Sequence, residues 1–184
     1  MTTDASRSDT ARTSGSAEAA SDEPLSFDAL YRQHRSYIGT VALRVLGDAA
    51  AAEDVVQETF ISAYRAIGSL RNPEAARAWL ARIAVRQAHH HLRKRKLKGF
   101  VGLDRVPDYR NVARGASPEQ QAVLARIYQE LDRLPSAQRI AWTLRYLEGE
   151  KLESVAEMCG CSLATAKRRI RAAHQTIQEV MDHG

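Results

Sequence analysis

Apolar side chains return every three or four residues through most of this chain, and that spacing restricts it to helices. A helix turns once per 3.6 residues, so such positions share a face, whereas a half-buried strand alternates with period two. Phe27, Leu30, Tyr31, Ile38, Val41, Val45 and Leu46 make the first stripe. Ser26 is placed to cap its start and Gly47 to stop it. A second stripe holds Ala52, Val55, Val56, Phe60, Ala63 and Ile67 and ends near Gly68. Glu53, Asp54, Gln57 and Glu58 fall mostly outside it, facing solvent or a partner. Breakers are scarce, with 10 Gly and 5 Pro in 184 residues, and aromatics are 6%. That composition favours an all-helical protein over a sandwich or barrel.

Asn72-Pro73 reads as the next helix start, with Asn as cap and Pro at a position that needs no donor. This helix carries Trp79, Leu80, Ile83 and Leu92 to a basic end at Lys98. Residues 99–116 hold Gly99, Gly102, Pro107, Asn111 and Gly115 without a sustained period, which predicts a flexible linker between two helical domains. Ser117 to Gln120 is a capping box with Pro118 at the first helical position. Val123, Ile127, Leu131 and Leu134 form the stripe that follows, ended by Pro135. Ser136 is placed to cap a helix burying Ile140, Leu144 and Leu147, which stops at Gly149.

Leu152, Val155, Ala156 and Cys159 then mark a short amphipathic helix, and Gly160 permits a tight turn. Ser162 caps a longer helix with Ala166, Ile170, Ala173, Ile177 and Val180 on one face. This is a helix-turn-helix, with the small Ala156 where its helices cross and Cys161 just past the turn.

Charge points to a polyanion. The chain carries a net +5, yet residues 1–24 hold two arginines against five acids. The positive excess therefore lies in the rest of the chain, and nucleic acid is the first candidate partner. Residues 1–24 lack large apolar side chains and read as a disordered tail, not a signal peptide. No apolar run approaches the roughly 20 residues of a membrane span, so the expected compartment is the cytoplasm.

The second helix of a helix-turn-helix enters the major groove. Off its apolar stripe this one offers Thr165, Lys167, Arg168, Arg169 and Arg171, with His174 further on. A helical hairpin with a solvated basic face would share the charge. Coincidence of cap, turn glycine, small crossing residue and basic face favours DNA binding. From Arg77 to Lys98 there are eight Lys or Arg and no acid, which suits either a DNA-contacting helix with Trp79 or a solvated end favoured by the helix dipole.

His89, His90 and His91 point about 100° apart on a helix and cannot converge on one ion. Cys159 and Cys161 supply two ligands at most and are poorly placed to bridge each other. No phosphate loop, nucleophile elbow or catalytic carboxylate pair is present, so neither an enzyme, a cofactor nor a small-molecule substrate is expected.

Several motifs, in order, resemble the sigma-70 family of transcription initiation factors, extracytoplasmic-function group. Gly47-Asp48 followed by Ala52 to Phe60 resembles the region 2 helix that binds the clamp of core RNA polymerase. Arg77-Ala78-Trp79-Leu80-Ala81-Arg82-Ile83-Ala84 resembles the segment for promoter melting and −10 recognition, with the loop Gly68 to Glu74 in the place of the base-capturing pocket. Leu134-Pro135, Arg139 and Leu144 to Gly149 resemble the start of region 4, and Val155-Ala156 through Ile170 its −35-reading helix-turn-helix.

The resemblance implies two small helical domains, region 2 over 25–98 and region 4 over 117–184, after the 1–24 tail. It implies core polymerase binding by Glu53, Asp54, Gln57, Glu58 and Phe60. The −10 contacts would be Arg71, Asn72, Arg77, Trp79, Arg82 and Arg86, and the −35 contacts Ser162, Thr165, Lys167, Arg168, Arg169 and Arg171. It also implies an anti-sigma partner. Ala76, Arg86 and His90 differ from the family's usual residues, which bears on the −10 sequence. Three alternatives remain open: a plain helix-turn-helix regulator, a sigma-like module that titrates polymerase or an anti-sigma factor, and a metal sensor using the histidines.

Overall fold

The structure is a computed structural model, and it describes residues 26–100, 109, 112 and 115–182. The tail expected over 1–24 and most of the linker expected over 99–116 lie outside the described residues. Seven α-helices and no strand occur among the described residues. In order they are α1 (Phe27–Leu46), α2 (Ala49–Ala66), α3 (Ala76–Phe100), α4 (Pro118–Arg133), α5 (Ser136–Tyr146), α6 (Leu152–Met158) and α7 (Leu163–Asp182).

Local chemistry sets most of the boundaries. Gly47 takes φ +70° and donates its N–H to the Leu43 carbonyl at 2.7 Å, ending α1 in the left-handed conformation. Asp48 Oδ1 then accepts from Ala51 N at 2.8 Å and starts α2. Asn72 Oδ1 accepts from Glu74 N at 2.9 Å, but the turn it opens, Pro73–Ala75, is a 3-10 turn, and α3 begins at Ala76. At α4 both halves of the capping box are made, Gln120 N to Ser117 Oγ at 3.3 Å and Ser117 N to Gln120 Oε1 at 3.0 Å. Two expected caps differ. Ser26 makes no side-chain cap bond, and Ser136 is the first residue of α5, with Pro135 in the cap position.

The first three helices pack around Leu30, Ile38, Val41, Val55 and Leu80, all buried. This core does not stop at the end of α3. Ile140 and Leu144 of α5, Val155 of α6 and Ile170 of α7 belong to the same apolar cluster, so the two helical halves share one core. A smaller cluster joins Tyr128, Leu131, Trp142, Ala173 and Ile177. Here the expected α4 stripe needs correction, because Val123 is 43% exposed while Tyr128 is fully buried. The reason is tertiary: Tyr128 Oη donates to the Arg44 carbonyl at 2.6 Å, which turns α4 toward the end of α1.

A buried arginine fastens the halves. Arg139 is 1% exposed and donates from Nε to the Val45 carbonyl at 2.8 Å and from Nη2 to the Leu46 carbonyl at 2.9 Å. Its Nη1 pairs with Asp132, as does Arg95 of α3, and Tyr109 Oη donates to the same carboxylate. Burial lowers the Arg139 pKa and the Asp132 charge opposes that shift. The carbonyls Arg139 satisfies are the unpartnered ends of α1. Tyr109 stacks on Tyr128 at 4.9 Å directly over Gly47.

Two stability outcomes follow. A Cβ at Gly47 would lie 2.6 Å from Tyr109 Cε1 and 2.8 Å from Tyr128 Cδ1, on a backbone that already disfavours side chains. Gly47→Ala is expected to cost about 2 kcal/mol in denaturant unfolding. Asp132→Ala strands the buried Arg139 charge and is expected to cost about 3 kcal/mol by the same measurement.

Candidate nucleic-acid interface

The helical period of α2 separates its two faces. Val55, Thr59, Phe60 and Ala63 are buried, and Glu53, Asp54, Gln57 and Glu58 are exposed. Thr59 reaches its place inside by donating its hydroxyl to the Val55 carbonyl at 2.6 Å. Phe60 is 4% exposed and belongs to the core, at the floor of a surface hollow that it helps to line.

That hollow was not legible from the apolar stripes. Phe27, Tyr31, Phe60 and Tyr64 line it, with Tyr31 and Phe60 at 4.7 Å and Phe27 and Tyr64 at 5.2 Å, both edge-to-face. Ile61 and Tyr64 are 52% and 65% exposed beside Gln57. The sequence signal was there: Ile61 and Tyr64 stand four and seven residues after Gln57, on the face that is otherwise polar. Acidic groups and exposed aromatics thus form one continuous surface.

On α3 and the turn before it, Arg71, Asn72, Arg77, Arg82 and Arg86 are exposed and Trp79 is half-buried. Asn72 spends its side-chain oxygen on the turn. Arg77 lies over the Tyr37 ring at 4.1 Å, with Nη2 3.7 Å from Glu150 Oε1. Trp79, Arg82 and Arg86 form one wall of a cavity of about 530 Å3, and Met158, Gly160 and Arg169 form the other. Three of the residues expected to contact the −10 element therefore face the helix-turn-helix.

The helix-turn-helix is built as its sequence requires. Gly160 takes φ +59° at the turn, and Cys161 N donates to the Ala156 carbonyl at 3.0 Å. Ser162 Oγ accepts from Thr165 N at 3.2 Å and donates to Thr165 Oγ1 at 3.0 Å. Ala166, Ile170, Ala173 and Ile177 are buried, while Lys167, Arg168 and Arg171 stand together on the exposed face. Arg169 does not join them. It lines the cavity, and its charge contributes to lowering the His89 pKa, behind burial and Arg93.

His174 is also part of the scaffold rather than the exposed face. It stacks on Tyr146 at 4.7 Å and accepts from Trp142 Nε1 at 3.5 Å. Burial pushes the Cys159 thiol up to about 12, which suits a packed, protonated side chain. Among the described residues no group of three or more His, Cys, Asp or Glu is placed to hold a metal. No helix among them is long and apolar enough to cross a membrane.

Comparison with known proteins agrees with this division. The Sigma-70 region 2 family matches residues 30–98, and the Sigma-70 region 4 family matches 124–177. RNA polymerase sigma-H factor of Pseudomonas aeruginosa is 32% identical over 84% of this chain and 86% of its own length. The ECF RNA polymerase sigma factor SigL of Mycobacterium tuberculosis is 33% identical over 92% of this chain and 97% of its own. Among solved structures, the sigma factor RpoE of Bartonella quintana, in complex with the anti-sigma factor NepR, shares the fold. It has a TM-score of 0.62 and 23% identity over 85% of this chain and 96% of that one. CnrH, in complex with the cytosolic domain of CnrY, does so with a TM-score of 0.57 and 23% identity over 85% and 88%. With an exposed acidic helix, a basic helix behind it and a capped helix-turn-helix lying inside the two matched regions, this chain belongs to the sigma-70 family as a sigma factor of the extracytoplasmic-function group.

Proposed function

We propose that this sigma factor docks on core RNA polymerase through α2, reads and opens the −10 element with α3 and its preceding turn, and reads the −35 element with α7. The observation that carries the reading is the separation of charge between faces. Glu53, Asp54, Gln57 and Glu58 are presented outward on one helix, and Lys167, Arg168 and Arg171 outward on another. A DNA-binding regulator has use for the second surface and none for the first. Tyr31, Ile61 and Tyr64 extend the polymerase surface, since an apolar hollow beside exposed carboxylates suits a partner helix with both basic and apolar side chains.

Residues 25–98 and 117–184 act as the two functional domains of this reading. The factor works in the cytoplasm, where polymerase is, and catalyses nothing itself. The structural likeness to a sigma factor solved with the anti-sigma factor NepR supports control by an anti-sigma protein.

The deciding experiment is transcription in vitro from a promoter-fragment library with bacterial core polymerase, with and without the protein. Discrete start sites that depend on the protein support the reading. Core binding without transcripts would make it a titrating module, and neither would leave a plain DNA-binding regulator.

Reversing charge in Asp54→Lys/Glu58→Lys should abolish core binding and leave the circular dichroism spectrum unchanged. Unaltered core affinity would remove α2 from the interface. Arg168→Ala should weaken binding to the −35 element by about 1–3 kcal/mol relative to unrelated DNA. An equal loss on every sequence would make Arg168 a phosphate contact.

A further inference from the structure

The cations between the two halves divide into two groups. Arg44, Arg77, Arg95, Lys96 and Arg139 each meet a carbonyl or a carboxylate across the joint. Arg82, Arg86 and Arg169 make no hydrogen bond or ion pair among the described residues. Yet these three line one cavity of about 530 Å3, the first two from α3 and the third from α7. No carboxylate lines it among the described residues. A concave surface walled by one sign of charge focuses its field and concentrates counter-ions. Three guanidiniums gathered there repel one another until an anion lies among them, and each can give a phosphate two parallel N–H donors.

The cavity is more than a charged surface. Trp79, Ile83, Ile140 and Met158 supply an apolar wall, and an indole offers its face to a flat ring. Ser62 also lines it. Its Oγ accepts from Gln87 Nε2 at 3.1 Å and keeps its own proton to donate. Positive charge reaches the interior, since burial, then Arg93 and Arg169, lower the pKa of the lining residue His89. Burial keeps the Cys159 thiol at the wall protonated, so a ligand here is held without a bond to sulfur.

Volume decides the class of ligand. The cavity falls within the roughly 300–1,000 Å3 of small-molecule sites. A duplex, whose major groove alone is about 12 Å wide, is too large for it. No phosphate-loop motif marks the site, because α2, α3, α5, α6 and α7 each contribute to it. We infer that this cavity binds a small organic phosphate, with the phosphate among Arg82, Arg86 and Arg169 and a flat apolar body against Trp79 and Met158. Because the arginines come from both halves, the bound phosphate links α3 to α7.

Binding requires neither polymerase nor DNA, so calorimetric titration of the full chain tests it and leaves the transcription assay to read the initiation role. The probe is 4-methylumbelliferyl phosphate, a phosphate monoester on a flat ring system. One molecule should bind per chain, and inorganic phosphate should bind at least roughly tenfold more weakly for want of the apolar contacts. Arg169→Gln and Arg82→Gln should each weaken the probe roughly tenfold. Ala137→Trp, which fills the cavity from α5, should do the same, whereas Ala137→Ser should bind within about twofold of the parent. Thermal unfolding verifies that each variant is folded. Absence of one-to-one binding at millimolar probe would overturn the site. Unchanged affinity in Arg169→Gln or in folded Ala137→Trp would move the anion to cations outside the cavity and overturn it equally. Inorganic phosphate binding as tightly as the probe would remove the organic part of the ligand.

Discussion

The joint between the two halves hangs on Arg139. Its guanidinium is out of water, and a bare charge there would be prohibitive. It is tolerated because the last turn of α1 has carbonyls that no helical N–H can reach, and because Asp132 supplies a counter-charge one helix away. One side chain therefore solves two problems, the open end of α1 and the placement of α5 against it. Arg95 approaches Asp132 from α3, so the carboxylate ties the basic helix to α4 as well. Buried ion pairs contribute little net stability once desolvation is counted. What this one fixes is position: a sliding or rotated contact would leave charges and carbonyls unsatisfied, whereas the apolar cluster it borders would tolerate a shift.

Position matters here because the groups proposed to act on polymerase and DNA are spread over three helices. The α2 face needs only its own period to expose its carboxylates, and α7 needs only its cap and stripe to expose Lys167, Arg168 and Arg171. The α3 surface is different. Trp79, Arg82 and Arg86 acquire an opposite wall only when α6 and the turn at Gly160 are brought before them. Arg44, Arg77 and Arg95 of the first half meet Glu148, Glu150 and Asp132 of the second.

Much of the local structure was legible in the sequence. The capping box at Ser117, the stop at Gly47, the turn at Gly160 and the buried series Ala166, Ile170, Ala173 and Ile177 all rest on interactions within a few residues. The misread positions have a common origin. Tyr128 is inside and Val123 outside because a carbonyl of α1 draws the tyrosine inward. The burial of Arg139 has no local signal, because the carbonyls that accept from it belong to α1. Ile61 and Tyr64 are apolar residues on a polar stripe, a pattern that averaging by stripe conceals. Arg169 and His174 sit within the basic run, yet one faces a cavity and the other packs against Tyr146.

The sequence by itself determined the class, all-helical with a helix-turn-helix, because helical period, caps and turn glycines are encoded within single elements. It also determined that Glu53, Asp54, Gln57 and Glu58 of α2 and Lys167, Arg168 and Arg171 of α7 face outward, since that needs one helix and one apolar stripe. Only the tertiary structure decided that the halves share a core, that Arg139 closes the end of α1, and that the α3 surface lies against the turn of the helix-turn-helix. These depend on groups about 70 to 110 residues apart meeting in space, as with Arg44 and Glu148 or Tyr37 and Glu150, and no periodicity along the chain records such a meeting.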